Sequence, residues 1–215
     1  MPDQPYQNAP DATLRADARH NRERILRAAR EAYAAHGIDV PLTAIARRAG
    51  VGVATLYRRF PTRASLVTEA FSEQLAVCTG ALDAALDDPD PWRGFCSLIE
   101  AVCAMQACDR GFTEAFLAQF AEDTLYEREI GRAEEGLAEL VRRAKETGRL
   151  RADFAISDIT LLLLANNGVT GAPREVSEAA SRRLAGYLLQ AFRSEGARPL
   201  PPPAPLALGQ HVSRP

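Results

Sequence analysis

The chain has 215 residues, of which 47% are hydrophobic and 25% charged, with a formal net charge of −2. That hydrophobic share is normal for a globular protein and ample for a core. It contains no apolar run near the ~18 residues of a membrane span, the longest being the short stretch from Ile159 to Ala165. The polar N-terminus has no positively flanked apolar segment, so no signal peptide is expected. Cys78, Cys96, Cys103 and Cys108 show no CxxC or framework spacing and are expected as reduced thiols in the cytoplasm.

The overall charge hides an asymmetry. Residues 1–70 carry 11 Arg against 7 acids, a net of +4, and the remainder carries −6. A basic front with an acidic rear suits a protein that sets one face against phosphate.

In chain order, residues 1–16 lack periodicity and are expected to be disordered. A helix is predicted from Asp17, with Ile25, Leu26, Ala29, Ala32 and Tyr33 on one face and Gly37 as its stop. A short helix follows Pro41, with Leu42, Ile45, Ala46 and Ala49 at helical spacing, and Gly50 stops it. A third runs from Val53 to Phe60, before Pro61. Thr62 then reads as the N-cap of a longer helix through Leu66, Ala70 and Leu75. Asp88-Pro89-Asp90-Pro91 breaks the chain and launches a helix from Trp92 to about Cys108; helices over 112–121 and 123–147 follow. Ser157 is the expected cap of an apolar helix to about Asn167, and a last amphipathic helix is predicted over 174–194. No stretch alternates with period two. From Ala197 to Pro215, 6 of 19 residues are proline, so this tail is expected to be disordered. The fold class is therefore all-α: a three-helix unit at 17–66, a helical body at 67–196, and unstructured ends.

The informative segment is LTAIARRAGVGVATLYRRFP, residues 42–61. Two short helices joined by a glycine turn follow the helix-turn-helix plan. Ala46 sits where the helices cross, Gly50 relieves the turn, and Leu56 and Phe60 plug the second helix into the core. Val53, Ala54, Thr55, Tyr57, Arg58 and Arg59 are left facing outward, and a major groove admits such a helix. An ordinary helical hairpin satisfies the same loose pattern until the flanks are added.

With its flanks, the segment over residues 21–71 resembles the DNA-binding part of the TetR/AcrR family. The match is carried by Ile25-Leu26, Ala29, His36-Gly37, Ile45-Ala46, Ala49-Gly50-Val51, Thr55-Leu56-Tyr57, Phe60, Arg63 and Leu66. The resemblance implies a homodimer built on the last two helices, a palindromic DNA operator, and a pocket in the C-terminal body whose ligand shifts the recognition helices. It implies Thr55 and Arg58 as base readers, Tyr57, Arg59 and Arg63 as phosphate clamps, and Thr43 near the backbone. Three departures stand out: Pro41 replaces a common capping threonine, Gly52 a common serine, and Arg63 a common lysine. Arg15, Arg19, Arg22 and Arg24 form either a basic arm for DNA or a solvated helix face.

The body carries weaker signals. Phe112, Phe116 and Phe120 form an aromatic stripe, with Phe95, Ile99, Val102, Cys103 and Met105 as facing walls. Such stripes are most often core, and in a body of this kind the core also lines the pocket. Gln106, Gln119, Asn166 and Asn167 are candidate polar anchors for a small apolar or amphipathic effector. Leu161 and Leu164, on a helix apolar nearly all round, with Leu184, Leu188 and Phe192 on the last helix, are the expected dimer contacts; packing within one subunit is the alternative. The reading is a ligand-responsive regulator, a repressor by preference, with no cofactor, no metal and no membrane partner. The alternative is an effector-independent interaction protein or an enzyme with a similar hairpin. No nucleophile motif, HExxH or phosphate loop supports catalysis, so no catalytic residue is assigned.

Overall fold

The computed structural model describes residues 9–37, 39–108, 124–170 and 173–206. Within them every regular element is a helix, and one isolated bridge pairs Leu150 with Arg193. No helix among them is long and apolar enough to cross a membrane.

Helix α1 spans Ala9–His36. Its apolar stripe of Ile25, Leu26, Ala29, Ala32 and Tyr33 is buried, and it ends where Gly37 adopts φ +74° and donates to the Tyr33 carbonyl at 2.9 Å. Its start lies eight residues before Asp17. Periodicity misses this part because it registers only apolar repeats, and residues 11–24, rich in the helix formers Ala and Arg, show none. Pro10 sits in the first turn, where a missing N–H costs no intrahelical bond.

Helices α2 (Leu42–Ala49), α3 (Val53–Arg59) and α4 (Arg63–Ala70) close against α1. Thr62 and Ser65 cap α4 reciprocally: the Ser65 N–H donates to Thr62 Oγ1 at 3.0 Å, and the Thr62 N–H to Ser65 Oγ at 3.3 Å. The expected unbroken helix past Ala70 is divided at Phe71, after which α5 runs over Ser72–Asp87. Phe71 is fully buried beside Tyr33, ring centroids 6.0 Å apart. The first core thus continues through α4 to Phe71, beyond the three-helix unit read from sequence.

The body begins with α6, Pro91–Cys108. Asp90 caps it, its Oδ1 accepting from the Trp92 and Arg93 amides at 3.1 and 3.2 Å. Helix α7 (Thr124–Glu146) is followed by Gly148 at φ +71°. In α8 (Ile156–Val169) the cap differs from the Ser157 expected: Asp158 reaches back so that its Oδ2 accepts from the Ala155 amide at 2.8 Å. Helix α9 spans Arg174–Ala191. A second core joins α5 to α9, centred on Phe95, Leu140, Leu150 and Leu162.

At the start of the tail expected to be disordered, Arg198 and Leu200 are held by side chains from the α7–α8 connection. The buried Arg151 guanidinium donates to Asp153 and to the carbonyls of Ala191 (3.2 Å) and Arg198 (2.6 Å), and Asp153 Oδ2 accepts from the Leu200 amide at 3.0 Å. Composition cannot reveal this, because the anchoring side chains lie 47 positions away. Residues 207–215 and 1–8 lie outside the described residues. The Asp153 carboxyl is held down to about 2, first by the Arg151 hydrogen bonds and then by the Leu200 amide. With its folded value below the unfolded ~3.9, its contribution is present above that value and is lost as pH falls through about 2. Protection of the Leu200 amide from exchange should follow the same course; protection unchanged below pH 2 would count against the latch.

Helices α5 and α6 approach closely at Gly94, where an added Cβ would lie 2.4 Å from the Ala85 carbonyl oxygen. Gly94→Ala should therefore lower stability to urea by roughly 1–3 kcal/mol. Gly80→Ala, with nothing within 4 Å of the new methyl, should be neutral or stabilising by about 0.5–1 kcal/mol. Equal effects from the two would show that this contact does not set the packing.

Candidate DNA interface and effector site

The turn between α2 and α3 is built from the backbone outward. Gly50 takes φ +62° and donates to the Arg47 carbonyl at 3.1 Å, while the Val51 N–H reaches the Ala46 carbonyl at 3.0 Å. Ala46, Leu56 and Phe60 are fully buried, which locks the face that α3 presents. Arg24 of α1 donates to the carbonyls of Ala49 and Gly50, neutralising the C-terminal end of α2. A Cβ on Gly50 would lie 2.5 Å from Arg24 Nη2, the movable tip of a flexible side chain, so it is the positive φ that calls for glycine here.

The outward face matches the sequence reading. Val53 is 41% and Tyr57 46% exposed; Thr43, Ala54, Arg58 and Arg59 are exposed and Thr55 is half-buried. No side chain caps α2 at Pro41 or α3 at Gly52; instead the Ala44 and Thr55 amides donate to the Pro41 and Gly52 carbonyls, each at 2.9 Å. The structure adds a neighbour that sequence reasoning missed. Arg59 Nη2 donates to the Ala18 carbonyl at 2.9 Å. A groove of about 440 Å³ runs between α1 and α3, lined by Asp17, Ala18, Asn21, Ile25, Thr55, Arg58 and Arg59. Arg63 pairs with Asp39 at 3.4 Å.

The proposed basic arm divides. Arg22 pairs with Glu69 on α4, and Arg24 clamps the turn, so both act inside the domain. Arg19 is exposed, and the side chain of Arg15 lies outside those described.

In the body, the structure brings together only some of the residues expected to bind an effector. Gln106 and Asn166 are 4% and 0% exposed and meet at the crossing of α6 and α8. Asn166 Nδ2 donates to Gln106 Oε1 at 2.8 Å and to the Cys103 carbonyl at 3.2 Å; Gln106 Nε2 donates to the Leu163 carbonyl at 3.4 Å. Ser181 of α9, which sequence reasoning overlooked, donates to the same Cys103 carbonyl at 3.0 Å. Phe95 stands apart in an aromatic cluster with Trp92, Phe154 and Phe192. Ile99 and Cys103 are buried and Val102 half-buried in the same core. Asn167 is half-buried, its carbonyl accepting from the Thr170 hydroxyl at 2.9 Å. Phe112, Phe116, Gln119 and Phe120 lie outside the described residues. Burial pushes the thiols of Cys78, Cys96 and Cys103 up to about 11, so they stay protonated near neutral pH and are poor nucleophiles.

The expected dimer contacts also divide. Leu161 on α8 is 53% exposed, and Val176 and Tyr187 on α9 are 55% and 56% exposed. Leu164 and Leu184 are half-buried. Phe192 and Leu188 are turned inward: Phe192 makes edge contacts with Phe154 and Phe95, and Leu188 packs on the second core. The buried stripe of α9 is Ser177, Ser181, Ala185 and Leu189. Its polar members hid this stripe from a hydrophobic reading.

The Arg24 clamp is testable apart from DNA contact. Arg24→Met keeps the stem and removes the donors, so it should cost roughly 1–3 kcal/mol in urea unfolding. The salt dependence of DNA binding should keep its slope, since no phosphate contact is lost. A slope lower by about 0.9 would instead make Arg24 a phosphate ligand.

Residues 25–70 match the model of the bacterial regulatory proteins of the tetR family, and residues 90–191 the C-terminal domain of SbtR-like transcriptional regulators. An HTH-type transcriptional regulator of Mycobacterium bovis is 30% identical over 149 residues, 66% of this chain and 75% of that protein. One from Mycobacterium tuberculosis is 32% identical over the same shares. Among solved structures, a TetR transcriptional regulator of Streptomyces coelicolor is 27% identical with a TM-score of 0.50, covering 80% of this chain and 98% of that one. A tetR-family protein of Rhodococcus, 18% identical over 80% of this chain and 96% of its own, shares the fold at a TM-score of 0.62. With its exposed third helix, the helices described in its body and these relatives, the chain belongs to the TetR family of DNA-binding transcriptional regulators.

Proposed function

We propose that this protein is a ligand-responsive repressor that holds a palindromic operator as a homodimer and is released by a small apolar or amphipathic molecule in the body. The observation that carries the reading is the last turn of α6, which belongs to both cores. Met105 packs on the first core, and the Cys78 thiol donates to its sulfur at 3.6 Å. The next residue, Gln106, is bonded inside the body to Leu163 and Asn166. A ligand that displaces this turn moves the support of the DNA-binding domain, and coupling of the usual ~1–3 kcal/mol follows from the two-state difference. A dimer on successive major grooves needs its recognition helices about 34–36 Å apart, so a shift of each domain loses contacts on both halves.

On DNA, Thr55 and Arg58 read bases from the exposed face of α3, with Val53 and Ala54 as its apolar edge. Tyr57, Arg63 and Thr43 hold phosphate, as does Arg59 once it exchanges the Ala18 carbonyl for a phosphate oxygen. The exposed Leu161, Val176 and Tyr187, with Leu164 and Leu184, form the surface on which two copies meet.

Three outcomes are expected. Arg58→Ala should lose about 1–3 kcal/mol of discrimination between operator and random DNA, while Arg63→Ala should weaken both alike and lower the salt slope by about one unit. Identical behaviour of the two would undo the division into base readers and phosphate clamps. Leu161→Glu combined with Tyr187→Glu should halve the mass in light scattering and weaken operator binding, because one motif reads half a palindrome; an intact dimer would move the interface elsewhere. Finally, a metabolite screen for release of the DNA upstream of the protein's own gene should yield a ligand whose affinity drops when operator is present. Equal affinity with and without operator would exclude allosteric release, since linkage is reciprocal.

A further inference from the structure

We infer that the effector is an uncharged molecule bearing a hydrogen-bond donor, an alcohol, phenol or amide N–H, which is received by Asn166 Oδ1. The inference rests on the reading that the body takes an effector, and it names the chemistry of that site.

Asn166 is fully buried, and its Oδ1 has no hydrogen-bond partner among the described residues. The orientation of the amide is dictated by its surroundings. Two acceptors, the Cys103 carbonyl and Gln106 Oε1, lie at 3.2 and 2.8 Å from Nδ2; turning the amide over would set oxygen against oxygen. Gln106 is fixed in turn, because its own Nε2 serves the Leu163 carbonyl. The atom left over is therefore an acceptor. A buried acceptor without a donor is disfavoured and rare in folded proteins, and a ligand donor restores the missing bond.

Charge narrows the class further. The buried polar side chains on the described body helices are neutral: Gln106, Thr160, Asn166, Ser177 and Ser181. The buried cation Arg151 lies in the α7–α8 connection and is taken up by Asp153 and by the Ala191 and Arg198 carbonyls. A carboxylate at Asn166 would set its lone pairs against Oδ1, and an ammonium would enter a desolvated site without a counter-ion. A neutral donor meets neither obstacle.

The probes are phenol, anisole and benzoate, which share a ring and differ in donor and charge. Each is titrated into the full-length, isotope-labelled protein at pH 7, following the side-chain amide signals of Asn166, identified by their loss in Asn166→Leu. Phenol should shift them and bind about tenfold tighter than anisole, the size of one well-made hydrogen bond, and benzoate should bind weakest. The Asn166→Leu variant should bring phenol and anisole to within about twofold; if it fails to fold, the wild-type ranking decides alone. Anisole or benzoate binding at Asn166 as tightly as phenol, or no shift from any probe up to its solubility limit, overturns the inference. Operator release measured alongside separates the two readings. If a carboxylate shifts Asn166 and frees DNA, the donor rule falls and the effector reading stands. If phenol follows the expected ranking without changing operator affinity, the donor rule stands and the effector reading is what fails.

Discussion

The structure depends on α6 serving two cores at once. Along its length it packs against α5, α7, α8 and α9, and at its C-terminal end Met105 also reaches the core of the DNA-binding domain. Its approach to α5 is limited by Gly94, which admits the Ala85 carbonyl where any side chain would collide. Interiors are close-packed and transmit small displacements instead of absorbing them. A helix held by both cores is therefore placed where the proposed release of DNA would need a link between them.

Arginine is used in this chain for two unlike purposes, and only the fold tells them apart. Arg24, Arg22 and Arg30 lie on α1 and are turned inward, to the α2 carbonyls, to Glu69 and to the Ala70 carbonyl. Arg58 stands on the outer face of α3. Arg59 lies between these roles, exposed but bonded to α1. A guanidinium has five donors in a fixed fork, which suits it equally to backbone carbonyls at a helix end and to phosphate or guanine. The net charge of the N-terminal segment thus overstates the charge free to meet DNA.

The polar cluster in the body illustrates the opposite economy. Gln106, Asn166 and Ser181 sit where a hydrophobic reading expects leucines, and they hold α6, α8 and α9 together through the Cys103 and Leu163 carbonyls. Because each amide is constrained by its neighbours, the network has a defined polarity, and Asn166 Oδ1 is left without a hydrogen-bond partner among the described residues.

Much of this was legible in the sequence. The helical stripes of α1 and α2, the Gly37 and Gly50 stops, the Thr62 cap and the inward Leu56 and Phe60 follow from local rules, because periodicity, capping and φ preferences act within a turn or two. The outward face of α3 followed from the same register. Other features were settled only by the tertiary structure. These include the extension of α1 to Ala9, the break at Phe71, the turning of Leu188 and Phe192 into their own subunit, the Arg151–Asp153 anchor of the proline-rich tail, and the pairing of Arg24 with the turn. In each of these the deciding partner lies far along the chain, or the stretch carries no apolar repeat to leave a pattern. Sequence periodicity records which side of a helix is covered; it carries no mark of what covers it.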